Sequence, residues 1–281
     1  MPELPEVQAH AERLTAAFAG AELAAFEPLT FTALKTFDPP PDAAVGLPLA
    51  SVDRRGKHLL LRFDRDPALA YVVHLMQGGR LRPDAKQARK PRGGVARWRF
   101  ANGDALLLTE PGTERRAGVW VVAGDALSQP PLDDLGPEAD TVDDWQMAEL
   151  FATHPMRLHT FLRDQRVLAG LGRRLANEIC HRARLSPFAP TKSLGDTGAG
   201  AVVTAIRETV AEGLDYDRDR DDMSASAERP SAVHGRTGEP CPVCGDTVRE
   251  VAYRDYTVHY CATCQTDGKV LADNTTSKFL R

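Results

Sequence analysis

The sequence predicts an α+β chain of several domains: a strand-rich N-terminal part led by a helix, a helical middle, and a small four-cysteine hairpin near the end. Three observations carry this. Between residues 21 and 125, short apolar runs alternate with Gly, Pro, Asn and Asp turns, as in a β-sandwich or barrel. From about residue 143 the apolar period lengthens to that of helices. Then Cys241-Pro242-Val243-Cys244 is followed, sixteen residues on, by Cys261-Ala262-Thr263-Cys264.

The leading helix starts at Pro2-Glu3-Leu4-Pro5-Glu6. Pro5 suits a first helical turn, where its missing N–H is no loss. Val7, Ala11, Leu14 and Phe18 give the apolar stripe, and Gly20 suits the C-terminal end. Met1 precedes a small residue, so its removal is expected, leaving Pro2 as a secondary amine. An α-amino group has a pKa of about 7.7–8.0, and its neutral form attacks carbonyl carbons to give a Schiff base. The positive end of the helix dipole further disfavours the ammonium. Glu3 places a carboxyl group beside that amine. The plainer reading is an ordinary helix start with acidic residues in its first turn.

The strand runs are Leu47–Val52, His58–Phe63, Tyr71–Leu75, Val95–Phe100, Ala105–Leu108 and Val119–Val122. Asn102-Gly103 is a two-residue hairpin signal. Arg54-Arg55-Gly56-Lys57-His58 sits between two runs, where Gly56 permits a tight turn and Lys57 is placed at a strand start. Arg115-Arg116-Ala117-Gly118 lies in a later loop. Residues 128–144, rich in Pro, Gly and Asp, mark a domain boundary. The division expected is 1–130 for the strand-rich domain, 131–142 for a linker, 143–235 for the helical domain, 236–266 for the finger and 267–281 for a tail.

In the helical part, Asp143 or Asp144 caps a helix through Met147 and Leu150. A second helix covers about 157–164. Gly170-Leu171-Gly172 makes a tight turn into a third helix, about 173–184. Arg173 and Arg174 at its start oppose its dipole, a misfit that an anion bound there would remove. Ala199, Val202, Val203, Ile206, Val210 and Leu214 mark one more amphipathic helix. Polar residues 215–231 read as a mobile loop.

The 281 residues carry a net charge of −4, which taken alone argues against a nucleic-acid binder. The charge is segregated, however. Basic residues crowd 80–99 and 157–184, and acidic ones collect around 133–144 and 215–222. A polyanion responds to the local field rather than to the total. No apolar run approaches the ~18 residues of a membrane span, and the expected location is the cytoplasm. There, reducing conditions disfavour a disulfide framework for the clustered cysteines. Two Cys-x-x-Cys knuckles suit tetrahedral Zn²⁺, so Cys241, Cys244, Cys261 and Cys264 are expected to hold one structural zinc ion.

Taken together, these pieces resemble the formamidopyrimidine-DNA glycosylase/endonuclease VIII family over nearly the whole chain. The resemblance rests on Pro2-Glu3-Leu4-Pro5-Glu6, Arg55-Gly56-Lys57, Leu135-Gly136-Pro137-Glu138 and Asp164-Gln165 leading into Ala169-Gly170-Leu171-Gly172. It continues through Ala176-Asn177-Glu178 and Val233-His234-Gly235-Arg236 to the cysteine knuckle closing at Cys264-Gln265. It implies a β-sandwich with a leading helix, a helix-two-turn-helix module and a zinc-finger hairpin, acting as a monomer. Double-stranded DNA with a damaged base or abasic site would lie in a basic cleft, the base flipped out of the stack. Pro2 would attack C1′, Glu3 would protonate and open the sugar, Lys57 would assist strand elimination at the phosphate, and Glu6 would support the amine. His74, Met76, Gln77, Arg92, Arg115, Arg157, Arg173 and Arg254 are the DNA contacts this implies.

The sequence also departs from the family. Arg173 stands where Asn is usual. Ala117 replaces a wedging Phe. Tyr256 occupies the position expected for a finger arginine, with Arg254 two residues earlier. Arg92 stands in place of an expected loop histidine. These departures motivate an alternative, a catalytically reduced protein that only binds damage. A third reading is a zinc-ribbon regulator that recognises DNA by sequence.

Overall fold

The computed structural model describes residues 1–112, 116–223, 228–254 and 256–271. The chain divides into two units, one of residues 1–134 with 217–223 and one of 135–216 with 224–281.

The first unit begins with α1 (Leu4–Phe18) and continues through eight strands. These are β1 (Leu23–Pro28), β2 (Leu49–Arg55), β3 (His58–Phe63), β4 (Leu69–His74), β5 (Arg80–Pro83), β6 (Gly94–Phe100), β7 (Ala105–Thr109) and β8 (Gly118–Ala123). They form two four-stranded antiparallel sheets, ordered β1-β6-β7-β5 and β2-β3-β4-β8. The alternative of a barrel is thus resolved as a sandwich. Inward side chains of both sheets share one core, in which Tyr71 of one sheet meets Phe26 and Trp98 of the other at ring distances of 5.0 and 5.9 Å. Val7, Ala11, Leu14 and Phe18 of α1 close that core. The helix stops where predicted, with Gly20 at φ +82° just beyond it.

Two strands escaped the sequence reading. β1 has a register shift between Leu23 and Ala25 that breaks its alternation. β5 lies at a sheet edge with one buried side chain, Leu81, among Arg and Pro. An edge strand needs only one apolar residue on its inner face.

The second unit holds α2 (Asp144–Thr153), α3 (Leu158–Arg163), α4 (Arg173–Arg182) and most of α5 (Gly195–Arg218). Asp143 caps α2 in a reciprocal box with Gln146. The hairpin β9 (Val248–Ala252) and β10 (Thr257–Cys261), followed by the single turn α6 (Ala262–Gln265), completes it. Within the stretch expected as a linker, Gly136 and Ala139 donate backbone hydrogen bonds to Gln165 and Ala169, and Ala169 returns one to Pro137. Residues 135–139 are therefore strapped to the segment that precedes α4. Residues 267–271, expected as the start of a tail, fold back: the Leu271 N–H donates to the Tyr260 hydroxyl at 2.8 Å.

Of the mobile loop expected over 215–231, residues 224–227 lie outside the described residues, and 215–223 need correction. Its first four residues are the last turn of α5, and residues 217–223 pack on the first unit. Arg218 makes a two-pronged bond to Glu12, Arg82 pairs with Asp222 at 2.7 Å, and Arg13 donates to the carbonyls of Asp217 and Arg220. Met223, 4% exposed, enters the sandwich core. The polar composition that suggested mobility supplies these ionic contacts instead. Among the described residues no helix is long and apolar enough to cross a membrane.

Candidate active site and metal centre

The start of α1 is fixed by reciprocal capping. Glu3 is the N-cap, in extended backbone. Its N–H donates to Glu6 Oε2 at 2.9 Å, while its own side chain accepts the Glu6 N–H. This is the capping-box arrangement with Glu at both ends. Both carboxyl groups are buried, at 4% and 0% exposure, and both lie in the positive field of the helix N-terminus. Pro2 is buried immediately before them. The segment is held in place rather than frayed.

Lys57 lies in the two-residue turn Gly56-Lys57 joining β2 and β3, closed by the pair Arg55 and His58. Gly56 sits at φ +56°, left-handed backbone that favours glycine at the first position of a hairpin turn. The turn is tied to α1 through β2. Arg54 donates to Gln8 at 3.1 Å and to the Gly56 carbonyl at 3.1 Å, and Thr15 exchanges two hydrogen bonds with the Val52 backbone. The helix that orders Pro2 and Glu3 is thus bonded to the hairpin that carries Lys57. Lys57 is itself buried, at 5% exposure.

His58 and His74 form a cross-strand pair with ring centroids 4.5 Å apart, and Trp120 meets His58 edge-on at 6.4 Å. Burial, and then the neighbouring His74, push His58 down to about 3; burial, and then the Lys57 ammonium, push His74 down to about 4. Lys57 therefore lies beside two imidazoles that burial keeps neutral. His74 also contacts the sulfur of Met76, which takes φ +53°, uncommon for a side-chain-bearing residue. Gln77, next along, is exposed, as is Arg92 in the turn before β6. Arg115 lies outside the described residues. The described residues on either side are joined by Glu110, which the sequence does not single out. Glu110 is 4% exposed and accepts the N–H groups of Arg116 and Ala117 at 2.6 and 2.7 Å. No motif surrounds Glu110, so only the fold reveals it. Ala117 is buried in the sandwich core, with no wedging side chain to offer.

In the second unit Gln165 organises the glycine turn. Its amide accepts the Gly170 N–H and donates to the carbonyls of Arg163 and Leu171. Gly170 takes φ +101°. Arg173 follows as the first residue of α4 and is exposed. Arg157 is exposed too, its guanidinium 5.5 Å from the Phe188 ring centre and 3.2 Å from the Tyr253 hydroxyl. Arg254 is exposed at the β9–β10 tip. Beside it, Tyr256 stacks on Tyr253 at 4.7 Å and receives the Arg163 guanidinium over its ring at 4.5 Å. An arginine from α3 thus packs against the finger at Tyr256. Glu178 accepts three backbone N–H groups, those of Ala232, Val233 and His234.

The four finger cysteines are free thiols whose sulfurs all lie within 4.8 Å of one another. Cys241 and Cys264 are 3.9 Å apart, and Cys244 and Cys261 are 3.4 Å apart. A Zn–S bond of about 2.3 Å in a tetrahedron requires sulfurs roughly 3.8 Å apart, so the donor set fits one zinc ion. Four thiolates leave no open position, which makes the zinc structural. Asp246 joins the two knuckles by accepting from the Thr263 hydroxyl at 2.9 Å and its N–H at 3.3 Å.

Comparison with known proteins agrees with this geometry. The family model for the formamidopyrimidine-DNA glycosylase N-terminal domain matches residues 1–120, and that for the zinc finger found in FPG and IleRS matches residues 238–266. The formamidopyrimidine-DNA glycosylase of Thermus thermophilus is 34% identical over 95% of this chain and 100% of its own length. An uncharacterized formamidopyrimidine-DNA glycosylase-like protein of Mycobacterium tuberculosis is 44% identical over 52% of this chain and 94% of its own. The crystal structure of the MutM (Fpg) protein from Thermus thermophilus matches with a TM-score of 0.80 at 29% identity, covering 94% of this chain and 98% of that one. The Lactococcus lactis Fpg (MutM), solved with DNA containing N7-benzyl-Fapy-dG, shares the fold at a TM-score of 0.84 and 21% identity, covering 94% and 100%.

Proposed function

The chain belongs to the formamidopyrimidine-DNA glycosylase family, and from that premise we propose that it removes a damaged base through the amine of Pro2 and then nicks the strand. It is a DNA glycosylase of base-excision repair with lyase activity, and its partner is DNA. The observation that carries the assignment of roles is the buried Glu3–Glu6 capping box, which fixes Pro2 at the head of a helix bonded to the Lys57 hairpin.

The chemistry starts once Met1 is removed. The Pro2 nitrogen bonds to C1′ as the glycosidic bond breaks and the base leaves. Glu3 gives a proton to the ring oxygen, which opens the sugar and leaves an iminium. Loss of a C2′ proton then expels the 3′ phosphate, and water releases the amine. Lys57 neutralises the phosphate next to the lesion, and Glu6, hydrogen-bonded to the Glu3 N–H, holds the amine's surroundings. The flipped nucleotide is the form on which this chemistry is possible. Met76 or Gln77 fills the gap it leaves, together with Arg115. Arg92, Arg157, Arg173 and Arg254, all exposed, and the neutral His74 contact the backbone. One chain carries the nucleophile, the carboxylates, the cation and the finger, so a monomer suffices. Its expected place is the cytoplasm, on DNA, and its expected substrate is an oxidised base.

Borohydride trapping tests the reading. Protein lacking Met1, mixed with abasic-site duplex and borohydride, should form a covalent complex. A known lyase trapping normally beside a silent wild-type chain would refute the Pro2 chemistry. It would favour instead a protein that only binds damage. A panel of duplexes with oxidised purines, oxidised pyrimidines and crosslinks then identifies the base excised.

A further inference from the structure

Arg173, Asn177 and His181 recur every four residues along α4 and so share one face. The middle residue meets the finger. Asn177 Oδ1 accepts the His259 N–H at 3.3 Å, and Asn177 Nδ2 lies 2.8 Å from His234 Nδ1. The last residue meets the metal centre itself, with His181 Nε2 3.3 Å from Cys241 Sγ. His181 is 5% exposed and Cys241 is 3% exposed, so bulk water scarcely competes for this contact.

A zinc ion with four thiolates carries a net charge of about −2. N–H donors directed at the sulfurs spread that charge and make the thiolates easier to keep. The knuckles supply some from their own backbone: Val243 and Cys244 to Cys241, Asp246 to Cys244, and Cys264 to Cys261. His181 differs in kind, because it comes from a helix sixty residues earlier in the chain. A zinc-bound thiolate only accepts, so the imidazole must present its Nε2–H. A second latch holds the same two elements together: the Gln265 side chain accepts the Cys261 N–H at 2.8 Å and donates to the Leu185 carbonyl, just beyond α4, at 3.0 Å.

We propose that His181 is a positioning residue for the structural zinc, donating its Nε2–H to the Cys241 thiolate and making the metal's retention depend on α4. The finger is then not a self-sufficient metal clip. Its zinc is held partly by the helix that begins at Arg173.

The test uses the full chain loaded with cadmium-113 in place of zinc and labelled with nitrogen-15 at histidine. A scalar coupling between the metal and the His181 Nε2–H, carried through the N–H···S bond, is expected. Mere packing of the ring gives none. In parallel, His181→Phe keeps a flat ring without a donor, and His181→Gln keeps a donor without the ring. Against a chromophoric chelator, His181→Phe should hold zinc about 10–100-fold more weakly, with faster alkylation of Cys241, and His181→Gln should recover most of the loss. Absence of the coupling, or a His181→Phe chain that keeps zinc as tightly as wild type, overturns the proposal. If His181→Phe does not fold, the wild-type cadmium spectrum decides alone.

Discussion

Replacing Glu178 by Ala should release the segment that carries His234 and Gly235. Glu178 Oε2 accepts the Ala232 N–H at 2.7 Å, and Oε1 accepts those of Val233 and His234 at 3.0 and 2.8 Å. A hydrogen bond to a charged group contributes about 1.5–3 kcal/mol. The three share one carboxylate, so they are not additive, and Glu178 borders open cavities from which water would re-solvate part of what is lost. A local loss of about 3–4 kcal/mol follows, which is roughly a 10²–10³-fold rise in the exchange rate of those amides. Native-state hydrogen exchange reads it residue by residue. Glu178→Gln is the control. Its oxygen keeps two acceptor bonds while its NH₂ opposes the Ala232 N–H, donor against donor, so about half the effect is expected. If Glu178→Ala leaves amides 232–234 exchanging at wild-type rates, the carboxylate does not hold the segment and the reasoning fails.

Acid should destabilise the chain well above the carboxylate range. Burial lowers His10 and His74 to about 4, and His58 and His159 to about 3, from an ordinary 6.5. Below pH 6.5 the unfolded chain binds protons that the folded one refuses. The stability is therefore fully present above 6.5 and lost as pH falls, by about 1.4 kcal/mol per pH unit per histidine. Denaturant midpoints at pH 7 and pH 5 measure this, and equal midpoints would contradict it. Glu3→Gln should keep the helix cap, since an amide oxygen still accepts the Glu6 N–H, yet lower base excision by at least about 10²; wild-type excision by the variant would remove Glu3 from the chemistry. Stripping zinc with a chelator should unfold β9 and β10 while leaving the sandwich signal intact, and a finger whose amides stay protected without metal would show the zinc to be dispensable.

What the sequence made legible was local. The α1 stripe, the Asp143 cap, the Gly20 stop and the cysteine knuckles each announce themselves within a few residues, because capping, periodicity and metal spacing are short-range. The capping segment was legible for the same reason, with Pro2, Glu3 and Glu6 all within one turn. What escaped depends on how the elements are placed in space. Glu110 has no motif, and its role exists only because β7 and β8 bring it to the Ala117 amide. The link between His181 and Cys241 spans sixty positions. Composition misled at 215–223, since acidic and basic residues without apolar neighbours suit either a solvated loop or a segment pinned by ion pairs. Which one holds depends on whether Glu12, Arg13 and Arg82 are within reach.

That pinned segment bears on how the protein folds. The sandwich is interrupted in sequence: residues 135–216 intervene before Met223 supplies its last core side chain. Bringing the ends of an unstructured insert of that length together costs about 4 kcal/mol, less once α5 has formed and shortened the span. Completion of the β-domain therefore waits on the insert. A piece cut after Asp134 would expose a greasy notch where the sulfur side chain belongs, and it would aggregate unless residues 217–223 were added back as a peptide.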